Sequence, residues 1–152
     1  MESKKNEAIQ VFMNHYNCCQ AVVLAHKDLI RQYHPELDDS SLERMAVAFG
    51  GGVAGSGGIC GALSGLCMVL GLISTEDFMD PAFKQKQRDD IKELMDAFEN
   101  RFGSINCRDI RDNINLEPFF ENDPDNKELY AQKPCNACVS YASDLISGFL
   151  SK

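Results

Sequence analysis

Residues Met45 to Thr75 read MAVAFGGGVAGSGGICGALSGLCMVLGLIST, and the chain is organised around them. The stretch holds no charged residue, although charged residues make up 25% of the chain. Nine of the 11 glycines lie in it, with Cys60 near its middle. From Ile59 to Ile73 the text becomes continuously apolar. Flexible backbone thus feeds a buried segment with a thiol at the join, which makes the junction the first place to look for chemistry.

Two lures sit in this stretch. The uncharged run invites a membrane reading, but only the residues from Ile59 to Ile73 are apolar enough, and a span needs about 20. The glycines and serines around them suit a buried helix better. Gly50-Gly51-Gly52-Val53-Ala54-Gly55 also satisfies G-x-G-x-x-G. A dinucleotide cradle requires a parallel sheet around that turn and an acidic residue about 20 positions on. Glu76 and Asp77 are the first acids downstream, and no second strand separates them from the glycines. The favoured reading is a helix–loop–helix corner in which glycine permits tight packing.

Outward from the corner, helical signals dominate. Ile9, Phe12, Met13 and Tyr16 make one apolar stripe, and Val22, Leu24, Leu29 and Ile30 continue the spacing, so Glu7 to Tyr33 reads as helix in two pieces. Asn17 is the N-cap type expected to open the second piece. Ser40 with Glu43 suggests a capping box for a short helix through Ala48. A further helix is expected from Gly58–Cys60 to about Leu72, with Gly61 and Gly65 admitting a neighbouring backbone. Asp80-Pro81 is an N-cap followed by proline at the first helical position, and that helix runs to Phe102 and stops at Gly103. An irregular stretch holding Cys107 follows, then a short helical turn near Asp125–Tyr130. Pro134 opens a last helix. The expected fold is all-α: a single-domain bundle of five to six helices over residues 1–152, with a Gly-rich corner.

Composition narrows the function. Fifteen Lys and Arg against 23 Asp and Glu give a net charge of −8. Such a chain lacks the cationic surface that nucleic acids and anionic membranes require. MESKKNEAIQ has no apolar signal core, so a cytoplasmic protein is expected. Seven cysteines in a reducing compartment are then an odd number without a static disulfide framework.

Cys18, Cys60 and Cys135 each fall in the expected first turn of a helix, where free N–H groups and the positive dipole end lower a thiol's pKa. Cys107, in the irregular stretch, is placed where a thiol can exchange. These four are the candidate site. Cys19, Cys67 and Cys138 read as packing residues, although Cys135-Asn136-Ala137-Cys138 does form C-x-x-C. Two readings stay open for the four thiols. One is dithiol/disulfide exchange or electron transfer, with Cys60 as attacking thiolate, Cys18 as its resolving partner, and Cys107 with Cys135 as a relaying pair. The other is a metal or iron–sulfur module using the same four cysteines, although only one close ligand pair is present. His15, His26 and His34 read as surface or core histidines. A redox partner protein or a small thiol or disulfide is the expected partner, and the sequence does not say which cofactor or metal, if any, is bound.

Several pieces in order carry a resemblance: Tyr16-Asn17-Cys18, Phe49-Gly50-Gly51-Gly52, Gly58-Ile59-Cys60-Gly61-Ala62-Leu63-Ser64-Gly65, Arg101-Phe102-Gly103 with Cys107, and Cys135 with Val139. Together they resemble the redox-active protein family named C_GCAxxG_C_C, over about Asn6 to Leu150. This chain has Cys60-Gly61-Ala62 where the family name has Gly-Cys-Ala, so the central match is approximate. The resemblance implies a small helical redox protein using Cys18, Cys60, Cys107 and Cys135, and it names no substrate. Cys19, Cys67 and Cys138 match no family cysteine. Related domains occur beside haem-binding segments, and this chain has no haem attachment motif.

Overall fold

The computed structural model describes residues 1–152 and contains ten α-helices, two short 3-10 turns and no strand. The helices are α1 (Lys5–Met13), α2 (Cys18–Ala25), α3 (Lys27–Tyr33), α4 (Asp39–Ala46), α5 (Gly61–Leu72), α6 (Pro81–Phe102), α7 (Cys107–Asn113), α8 (Glu117–Asn122), α9 (Lys127–Gln132) and α10 (Cys135–Leu150). The all-α expectation holds, and five to six helices is too few. The excess comes from short pieces. The N-terminal helical region breaks twice rather than once, at Asn14–Asn17 and at His26. The polar stretch after Gly103 folds into α7, α8 and α9 rather than one turn.

Caps decide where most of these helices start. The Asn17 side chain accepts from Gln20 N–H while the Gln20 side chain accepts from Asn17 N–H, a reciprocal box that fixes Cys18 as the first helical residue. Helix α4 is capped by Asp38, whose carboxylate accepts from Ser41 N–H at 2.8 Å, so the expected Ser40 cap is displaced by two residues. An aspartate upstream satisfies the same free amides with a full charge. Asp80, Pro81 and a left-handed Gly103 bound α6 as the sequence predicts.

Helix α2 is the centre of the molecule. Residues Cys19 to Leu24 are all buried, and α1, α4, α5 and α10 pack around them. The closest approach is to α5, and glycine makes it. A methyl group on Gly61 would stand 2.9 Å from the Phe49 carbonyl oxygen and 3.3 Å from Cys18 Cβ. One on Gly65 would stand 3.0 Å from the Cys19 carbonyl oxygen. The two helices touch backbone to backbone, as expected from the glycine spacing. A core cluster of 27 buried residues links all of these helices, and α6 closes one side through Leu94, Phe98 and Phe102.

The glycine-rich corner is a loop between the 3-10 turn Val47–Phe49 and α5. Residues 51 to 55 all have positive φ, including the non-glycines Val53 and Ala54. Its far end pairs with the start of α7: Cys60 N–H donates to Ile105 O at 2.8 Å, and Cys107 N–H donates to Gly58 O at 2.7 Å. Ile59 and Asn106 form an isolated antiparallel bridge there. No parallel sheet surrounds the glycines, so the dinucleotide-cradle geometry is absent. No helix is long and apolar enough to cross a membrane.

Candidate functional site: a cluster of five thiols

Three helix starts meet beside the corner. Cys18 is the first residue of α2, Cys135 the first of α10, and Cys60 the residue that caps α5. Helix α10 packs on both α2 and α5, and the pairing of Gly57–Cys60 with Ile105–Arg108 carries Cys107 in from the side. Cys107 is the first residue of α7, with Asn106 before it, so the irregular setting expected for it is wrong. Asn106 was the available signal, being of the type that opens helices.

All seven cysteines are free thiols. Within the cluster they associate two by two. The mutual effect on their pKa values pairs Cys18 with Cys135 and Cys138 with Cys60. Cys60 also acts on Cys18, and Cys135 on Cys107, the two pairings expected from the sequence, through charge alone. Cys138, read from sequence as packing, is a member of the cluster. Its signal was present in C-x-x-C: Cys135 and Cys138 are one turn apart on α10 and share a face. The contact of that face with α5 was not readable locally.

Electrostatics gives the two pairs a common polarity. Donation from Cys18, outweighing the cost of burial and aided by Arg111, lowers the Cys135 pKa to about 7. Donation from Cys138, with the amide N–H groups of Ala62 and Leu63, lowers that of Cys60. The donors move the other way: Cys18 is raised by its hydrogen bond to Cys135 and then by burial, and Cys138 by its bond to Cys60 and then by burial. In each pair the pKa of one thiol is lowered and that of its partner raised. Cys107 is raised by burial, against the pull of Arg111. The charges of Cys60 and Cys135 are felt across the cluster by Cys18 and Cys107.

The pairs differ in access. Cys18 and Cys135 are partly exposed, whereas Cys60 is 4% and Cys138 1% exposed. Arg111, one turn along α7 from Cys107, is exposed and acts on both Cys135 and Cys107. Sequence reading had not singled it out, because one arginine among acidic residues carries no signal until the fold places it.

The remaining thiols are elsewhere. Cys19 is fully buried, donates to the Met68 sulfur at 3.8 Å, and is pushed up by burial to about 12. Cys67 lines an apolar hollow with Phe49, Ile59, Leu63 and Met68, and burial raises its pKa. The histidines also stand apart: His26 is buried with Nδ1 2.8 Å from Val22 O, His34 meets Leu72 O, and His15 is exposed. No group of three or more His, Cys, Asp or Glu side chains is arranged to hold a metal ion.

Comparison with known proteins places the chain in a family. A relative from Archaeoglobus fulgidus, described as an uncharacterized protein, is 27% identical over 125 residues, covering 76% of this chain and 78% of its own. No solved structure matches the chain. The family described as "Putative redox-active protein (C_GCAxxG_C_C)" matches residues 16–148, a span that contains every cysteine of the cluster. The chain belongs to the C_GCAxxG_C_C family of redox-active proteins.

Proposed function

We propose that the protein is a dithiol/disulfide exchange protein whose working couple is Cys135 and Cys18. The observation that carries this reading is the pair of partly exposed thiols at the starts of α10 and α2, two helices that pack together, with the Cys135 pKa about 7. A thiolate attacks a disulfide fastest when its pKa lies near the ambient pH, because a lower value costs nucleophilicity.

The steps balance without a further reactant. The Cys135 thiolate attacks one sulfur of a substrate disulfide, forming a mixed disulfide and releasing the other half as a thiolate. Cys18 has then lost the partner that held its proton. It gives that proton to the leaving thiolate or to water and attacks Cys135 Sγ. The Cys18–Cys135 bond forms, and the second half of the substrate leaves. Two electrons have passed from the couple to the substrate. Arg111 favours the thiolate throughout and presents a cation to an anionic disulfide.

The substitutions C135S and C18S test this. With a reduced protein and a disulfide such as oxidised glutathione, C18S is expected to accumulate the mixed disulfide on Cys135. C135S is expected to lose exchange by at least a hundredfold. Full exchange activity in C135S would overturn the reading. Zinc or iron retained in stoichiometric amount by anaerobically purified protein, and lost when these cysteines are replaced, would favour the metal module instead.

A further inference from the structure

Cys138 has no part in the exchange just described, yet it is 1% exposed on α10, which packs on α5, and it perturbs Cys60 at the start of that helix, itself 4% exposed. Packing alone would be served by alanine or valine at either position. Both sulfurs lie beside the Cys18–Cys135 couple: Cys135 and Cys138 share a face of α10, and Cys60 stands next to Gly61, which packs directly on Cys18. The charge of Cys135 acts on both Cys60 and Cys138. A bulky disulfide cannot reach sulfurs so deeply buried, whereas Cys135 lies one helical turn from Cys138.

We propose that Cys60 and Cys138 are a second, internal dithiol that re-reduces the outer couple, so that each chain stores two disulfide equivalents. The idea rests on the exchange reading above. With Cys18–Cys135 oxidised, the Cys60 thiolate attacks Cys135 Sγ. The Cys18–Cys135 bond breaks and Cys18 leaves as a thiolate. The Cys138 proton passes to Cys18, and the Cys138 thiolate attacks Cys60 Sγ. The Cys60–Cys135 bond breaks, Cys135 leaves as a thiolate, and Cys60–Cys138 remains as the disulfide. Two electrons have moved outward. The outer couple has regained its starting state, one thiol and one thiolate, and no outside proton or reductant has been used.

The order of attack follows from which sulfur is charged. The Cys60 pKa is lowered, with help from the Ala62 and Leu63 amides, and the Cys138 pKa is raised, so Cys60 is the sulfur that strikes first. Cys138 acts only after Cys60 has been consumed and its hold on the proton has gone. Cys107 lies at the edge with a raised pKa and takes no step in this sequence.

The test is a count and map of disulfides. Fully reduced protein is treated anaerobically with excess oxidised glutathione, quenched with an alkylating reagent and analysed by mass spectrometry of its peptides. The wild type is expected to form two internal disulfides, Cys18–Cys135 and Cys60–Cys138. C138S is expected to be limited to one, and C138A serves in its place if the serine variant does not fold. C135S is expected to keep Cys60 and Cys138 as thiols at least tenfold longer than the wild type. A wild type that forms Cys18–Cys135 while Cys138 stays alkylatable overturns this inference and leaves the exchange reading intact. So does Cys60–Cys138 formation in C135S at the wild-type rate. Failure of Cys18–Cys135 to form at all would overturn the exchange reading itself.

Discussion

At the scale of the residue, reactivity is decided by which sulfur holds the shared proton. Cys135 keeps a pKa near 7 because Cys18 donates to it, although burial pushes the other way. Its pKa in the fold is therefore lowered from the ordinary thiol value. The stabilisation it contributes is fully present above that ordinary value and is lost as pH falls through about 7. Alkylation of Cys135 in the reduced protein should follow the same midpoint, slowing as pH drops below 7. In C18A the neighbouring thiol that lowers the Cys135 pKa is gone, and the midpoint should move upward by about a unit or more. A midpoint unchanged by C18A would show that the pairing does not set the reactivity. Three of the four candidate cysteines were legible from their helix-start positions, since a capping residue such as Asn17 announces itself locally. Cys138 was not, because its role depends on what faces the second turn of α10. No local pattern distinguishes a cysteine buried among leucines from one buried beside another sulfur.

At the scale of the element, the glycines of α5 set the distance from which the thiols act. The spacing of Gly61 and Gly65 already suggested a close neighbour, and that neighbour is the start of α2. Substitution of Gly61 by alanine would place a methyl group against the Phe49 carbonyl, the Cys19 amide nitrogen and Cys18 Cβ, with approaches of 2.9 to 3.3 Å. Backbone cannot yield as a flexible side chain does, so G61A should cost about 1–3 kcal/mol, as overpacking of a filled core does. The same change at Gly71 meets nothing within 4 Å on the same helix. There alanine removes backbone freedom from the unfolded chain, and G71A should stabilise by about 0.4–1 kcal/mol. Chemical denaturation of the two variants checks the contrast; equal effects would contradict the packing described for α2 and α5. The short helices after Gly103 were harder to read. α7, α8 and α9 are six or seven residues each. Such lengths are marginal in isolation, so packing rather than propensity creates them. Ile110, Phe119 and Tyr130 are their buried anchors.

At the scale of the whole molecule, the chain runs its termini and middle into one cluster. Cys18 and Cys135 are more than a hundred residues apart in sequence. Joining them would restrain most of the unfolded chain, and such a bond typically adds about 2–4 kcal/mol. The oxidised protein should therefore melt higher than the reduced one in calorimetry at equal pH, and C18S should abolish the difference. An oxidised form that melts lower would mean that the bond strains α2 against α10. All-α class and the Gly-rich corner were legible because periodicity and glycine density are local properties. Which helix starts converge is a property of the whole packing arrangement, and no local pattern in the sequence carries it. The most direct measurement is of the first disulfide to form. Reduced protein given a single equivalent of oxidised glutathione, quenched early and mapped by mass spectrometry, should show the Cys18–Cys135 bond. Recovery of both residues as alkylated thiols, with the oxidising equivalent consumed elsewhere in the chain, would contradict the account.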